Sequence, residues 1–202
     1  MKPEELEKKL PALDASRPSI EPDQILIAEF NYIAQVAFQA NEDRARVTSF
    51  YLVSVGSFIA AILSTQVLAS PQPVLYWSFA GLFLFLSLLA VTTILQLIRL
   101  RRSWYDCIRA INHIKNFYTR NIKTIDLKDA FHWNADTLPA MNKTNSLSFF
   151  LSAEVGLFGS AAFGAAYYFA LLGLGWVSWG PAILLGIGYF VGIIYLYRRL
   201  LK

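Results

Sequence analysis

Residues 47–98 read VTSFYLVSVGSFIAAILSTQVLASPQPVLYWSFAGLFLFLSLLAVTTILQLI, and no Lys, Arg, Asp or Glu interrupts them between Arg46 and Arg99. A hydrocarbon core of ~30 Å takes roughly 20 apolar residues per helical crossing, so this stretch holds two crossings. Ser70-Pro71-Gln72-Pro73 divides it, because two prolines remove backbone donors and halt a helix. The first span is expected at about Thr48–Leu68 and the second at about Val74–Leu97.

The same reading applies further on. Between Lys143 and Arg198 the only charged residue is Glu154, and Gly173-Leu174-Gly175 breaks the run. Pro181 is tolerated in the first turn of the helix that follows. The third span is expected at about Leu147–Leu171 and the fourth at about Trp179–Tyr197. The whole chain has 202 residues, 55% hydrophobic and only 16% charged, against about a quarter charged in a soluble domain. The expected class is therefore an all-α polytopic integral membrane protein with four transmembrane helices in two hairpins.

Charge sets the expected orientation. Residues 1–46 carry six Lys/Arg, residues 99–145 nine, and residues 198–202 the remaining three; the short loops at the other side carry none. Cations flanking spans stay in the cytoplasm, so both termini are expected there, in a cell (inner or plasma) membrane. Tyr76, Trp77, Trp176 and Trp179 then fall near the outer boundary, and Tyr51, Trp104, Tyr195 and Tyr197 near the inner one. The first 20 residues contain no apolar h-region, so the first span is expected to serve as its own insertion signal. Cys107 is the single cysteine, which rules out a disulfide within the chain and a cysteine metal site.

The cytoplasmic parts are polarised. Residues 1–46 hold nine acids against six cations, net −3, while residues 99–145 hold nine cations against four acids, net +5. Solubility and topology account for this, and pairing of the two segments is the alternative. Leu26, Phe30, Ile33, Ala37, Ala40, Arg44 and Val47 advance in steps of four and three into the first span. Trp104, Ile108, Ile111, Lys115, Tyr118, Ile122 and Ile125 repeat that rhythm after the second. With no Gly or Pro at either junction, the first two spans are expected to continue as long helices, back to about Pro22 and on to about Asn121. Their extensions would form an antiparallel cytoplasmic stalk of roughly 30 Å, with Arg44 or Lys115 snorkelling out of an apolar seam.

The expected organisation is thus a flexible tail over residues 1–21, a cytoplasmic helix over 22–47, a hairpin over 48–98, a basic helix and loop over 99–145, a second hairpin over 146–197 and a basic tail over 198–202. Phe131 and Trp133 in the loop suit either the headgroup layer or packing on the stalk. In broad architecture the stalked hairpin, residues 22–122, resembles the SLATT type of small bacterial membrane effectors, and this resemblance assigns no residue a role.

Chemistry is sparse. His113 and His132 both lie outside the spans, and no phosphate loop, paired intramembrane carboxylates or nucleophile elbow occurs, so no catalytic residue, metal or cofactor is expected. Glu154 stands about two turns inside the third span, where an unpaired carboxylate costs a few kcal/mol. It reads either as part of an ion pathway or as a structural hydrogen-bonding group, with Ser54, Ser57, Thr92, Thr93 and Tyr189 as candidate partners. Small residues recur at fourth positions: Ser152, Gly156, Ser160 and Gly164 in the third span, Gly188 and Gly192 in the fourth, and Gly56, Ala60 and Ser64 in the first. Such spacing lets backbones approach, within one chain or between copies. The expected function is a non-enzymatic homo-oligomer with a sensing, effector or ion-conducting role coupled to the stalk. The alternative is a structural or adaptor subunit that anchors a cytoplasmic protein partner. The lipid bilayer is an expected partner, and nucleic acid is not expected.

Overall fold

The computed structural model describes residues 21–66, 73–121, 138 and 140–202. Four helices carry the chain: α1 Pro22–Gln66, α2 Pro73–Asn121, α3 Leu147–Gly173 and α4 Gly180–Leu200. All four are long and apolar enough to cross a membrane, and no strand occurs among the described residues. The chain is a multi-pass membrane protein. Residues 1–20, Ser70–Pro71, Ile122, Ile125 and residues 131–133 lie outside the described residues.

Local chemistry explains the ends. Pro22 and Pro73 each occupy a first helical position, where the missing N–H costs nothing. The Ser146 hydroxyl caps α3 by accepting the Phe149 N–H at 3.3 Å. At the far end of α3, Gly175 adopts φ 79°, and the Trp176 and Gly175 amides donate to the Leu171 and Leu172 carbonyls at 2.9 and 3.0 Å. That is a Schellman termination, which needs a residue free of Cβ strain at this position. Pro181 then stands in the first turn of α4.

At 1.5 Å per residue, α1 and α2 run to about 70 Å, more than twice the thickness of a hydrocarbon core. Each helix packs on its neighbours in sequence, α2 most extensively on α3, whereas α1 and α4 do not pack on each other. The arrangement is a curved row rather than a closed bundle. Accordingly only 22% of the most apolar stretch of α1 and of α4 is buried within the chain, against 39% for α2. Phe50, Val53, Leu63, Leu184 and Val191 all face outward; lipid or another subunit must cover them.

Close approach is what holds α3 between its neighbours. A Cβ on Gly159 would stand 2.5 Å from the Ala90 methyl of α2, and one on Gly164 would stand 2.9 Å from the Ala182 carbonyl of α4. Tyr189 of α4 reaches past α3 to donate a 2.6 Å hydrogen bond to the Ser87 carbonyl of α2. Around this contact lies the core of Leu86, Ala90, Ile94, Val155, Ala162 and Ile193.

Two outcomes follow from this packing. Gly159→Ala forces methyl against methyl and should lower unfolding free energy by about 1–3 kcal/mol, whereas Gly56→Ala, with open space around it, should not destabilise. Denaturant titration in mild detergent distinguishes them. Tyr189→Phe should cost about 0.6–1.7 kcal/mol, the range for a hydrogen bond between helices in lipid, on the same assay.

Candidate functional site

The residues singled out by spacing distribute unevenly. On α1, Ile33 is buried and Leu26 and Phe30 are half-buried; on α2, Ile111 is buried and Trp104, Ile108 and Tyr118 are half-buried. Leu26 and Phe30 share a groove with Ile114, Lys115 and Tyr118, so the ends of α1 and α2 lie side by side. On α3, Ser152, Gly156 and Ser160 are buried and Gly164 is half-buried, which makes that series a working seam.

The counterpart on α4 is different. Gly188 and Gly192 are exposed, with nothing near the place of a Cβ; Ala182 and Gly186 are the small residues seated against Ser160 and Gly164. The Gly186 Cβ position is 3.1 Å from the Ser160 carbonyl. Small residues at 182 and 186 satisfy the same four-residue spacing as 188 and 192 on another face, and spacing alone does not choose between them. Gly56, Ala60 and Ser64 of α1 are likewise exposed.

Glu154 is exposed too, at the surface of α3, and has no hydrogen bond or ion pair among the described residues. Three of its five candidate partners are engaged elsewhere: Ser54 donates to the Phe50 carbonyl at 2.8 Å, Thr92 to Leu89 at 2.9 Å and Tyr189 to Ser87. The carboxylate stands in a stripe with Phe150, Leu157 and Phe158, three large hydrophobics that also face outward. It is seven residues past the start of α3, about 10 Å along the axis.

A polar cluster of another kind lies where α1 and α2 become charged. Arg44 does not snorkel: it is turned inward and only 5% exposed, and Arg101 of α2 is 7% exposed. The Arg44 Nη1 donates to the Ser148 hydroxyl of α3 at 2.6 Å, while its Nε and Nη2 are buried with no partner. Arg101 lies within electrostatic range of Arg44, donates a long 3.5 Å bond from Nε to the Met141 carbonyl, and sits over the Trp104 ring at 5.0 Å. Tyr197 of α4 lies within electrostatic range of both guanidiniums, and its buried hydroxyl lies against Ser152 of α3. All four helices therefore contribute to one site, and among the described residues neither arginine has a carboxylate partner.

Arg44 stands in the four-and-three series of α1 and is buried, not snorkelled, but spacing does not name what it packs against. Ser148, Arg101 and Tyr197 carry no spacing that links them to Arg44. Among the described residues no group of three or more His, Cys, Asp or Glu side chains gathers to hold a metal.

No family model, curated protein or solved structure matches this chain. Function must therefore be read from the sites themselves.

The cluster's energetics are testable through its one side-chain acceptor. Ser148→Ala leaves the Arg44 guanidinium without that bond and should cost about 1–3 kcal/mol. Adding Arg44→Met should recover most of the loss, because an apolar isostere removes the buried charge. Chemical denaturation of the single and double variants gives the coupling.

Proposed function

We propose that the protein is a non-enzymatic homo-oligomer of a cell membrane, in which the Glu154 stripe of α3 lies between copies of the chain and the long extensions of α1 and α2 form a cytoplasmic stalk. The observation that carries this reading is an exposed carboxylate among Phe150, Leu157 and Phe158 on a spanning helix. Facing lipid, such a group costs a few kcal/mol; facing a second copy, it gains a hydrogen-bonding partner or water. The exposed Gly188 and Gly192 on α4 supply a further surface where backbones of two copies can approach.

The role assigned to the assembly is sensing or effector, with the stalk as its input. A stalk helix that enters the membrane unbroken transmits a shift or rotation of its cytoplasmic end directly to the span. Ion conduction along Glu154 is the output that suits a carboxylate at a subunit contact. In reconstituted liposomes, Glu154→Gln should reduce ion flux by roughly tenfold or more while the oligomer persists on native mass spectrometry; unchanged flux removes the conducting role.

The adaptor reading has one observation in its favour. Ile25, Ile27 and Phe117 are exposed near the groove at the far end of α1 and α2, a surface on which a partner protein can dock. Isolation from native membranes discriminates, since a stoichiometric second protein supports the adaptor and a homo-oligomer alone supports the first reading.

Orientation is testable with the single thiol. Cys107 lies ten residues past Leu97, outside the span, and burial first and Asp106 second push its thiol up from its ordinary pKa. Less thiolate is present near pH 7.5 than for a free cysteine, and the labelling rate should keep climbing as pH rises past the ordinary value. An impermeant maleimide should modify it in inside-out vesicles and not in right-side-out ones.

A further inference from the structure

The buried arginine cluster is not explained by the proposed contact between copies, because it faces the inside of the four-helix unit. Its donors are in surplus. Arg44 Nε and Nη2 are adjacent, parallel donors on one edge of the guanidinium, the edge that takes an oxyanion in bidentate fashion, and both are unpartnered and buried. The Tyr197 hydroxyl, buried beside Ser152, lies within electrostatic range of the same guanidinium. Arg101 adds a second positive charge and no described carboxylate answers either.

Two like charges taken out of water repel and lose hydration together, and an anion between them relieves both costs. The position narrows which anion. The cluster lies just beyond the spans, one turn before Thr48 and next to the start of α3, where lipid headgroups sit. Exposed Arg99, Arg102, Arg198 and Arg199 surround it with positive potential. Arg44 and Tyr197 are both buried, so a ligand enters by parting α1 from α4, which do not pack on each other.

We propose that Arg44, Arg101, Ser148 and Tyr197 form a binding site for a phosphate group, carried either by an anionic membrane lipid or by a soluble phosphate. The Arg44 fork binds two phosphate oxygens, Arg101 neutralises the remaining charge, and the Tyr197 hydroxyl donates to a third oxygen. Occupancy ties α1, α2 and α4 together at the point where the long helices leave the membrane.

The test uses the full-length chain in phosphate-free buffer and neutral detergent, with the thermal midpoint and native mass spectrometry as readouts. One arm titrates inorganic phosphate against sodium chloride of equal ionic strength. The other adds phosphatidic acid against phosphatidylcholine. A rise in midpoint with retained mass in the first arm identifies a soluble phosphate, and in the second arm alone a lipid headgroup; either supports the site. Arg44→Lys keeps the charge but loses the fork, and Arg101→Gln removes the second charge; each should weaken binding by roughly tenfold or more. Should one variant fail to fold, the other carries the comparison. No response in either arm beyond its control overturns the proposal, and so does equal binding by the folded variants.

Discussion

Hydrocarbon offers no hydrogen-bond partner, and nearly every feature of this chain follows from that constraint. Backbone amides are satisfied within four helices because a spanning segment has no other way to satisfy them. Side-chain hydroxyls obey the same rule: Ser54, Thr92, Ser152 and Ser160 each return their proton to a carbonyl three or four residues back. Tyr189, too far from its own backbone, finds the Ser87 carbonyl on another helix. With polar groups answered locally, association is left to shape, and the closest approaches occur where Gly159 meets Ala90 and Gly164 meets Ala182.

Against that background, two charged groups stand out because they are not answered within one chain. Glu154 faces outward among aromatic and aliphatic neighbours, and the Arg44 fork faces inward with nothing to hold. The two are opposite in sign and in direction. An outward acid asks for another copy of the chain or for water, whereas inward cations ask for a small anion that fits between helices. On the proposed reading the contact between copies and the phosphate site are separate, and α3 links them because it carries both Glu154 and Ser148.

The four helices were legible because charge silence and proline and glycine punctuation are one-dimensional signals. Arg46 and Arg99 bracket one pair of spans, Lys143 and Arg198 the other, and Pro22, Pro73 and Gly175 mark real ends. The same charge silence singles out Glu154, the one charged residue between Lys143 and Arg198. Azimuth was not legible. Which side of α3 carries Glu154, whether α4 seats Gly186 or Gly188, and whether Arg44 turns in or out all depend on the neighbouring helix, and spacing on one helix does not name that neighbour. Arg44 shows this most clearly: its heptad position was readable, but an arginine facing an apolar seam snorkels, whereas one facing Ser148 and Tyr197 stays inside.

The reading of the protein as an oligomer rests on what covers Glu154, and cysteine cross-linking in native membranes reports that directly. In a Cys107→Ser background, Leu157→Cys sits beside Glu154 on the exposed stripe, and Val53→Cys sits on exposed α1 as a measure of random collision. The account predicts rapid oxidative formation of disulfide-linked dimers through position 157, well above the level at position 53. Dimers at position 157 no more abundant than at position 53 would contradict it.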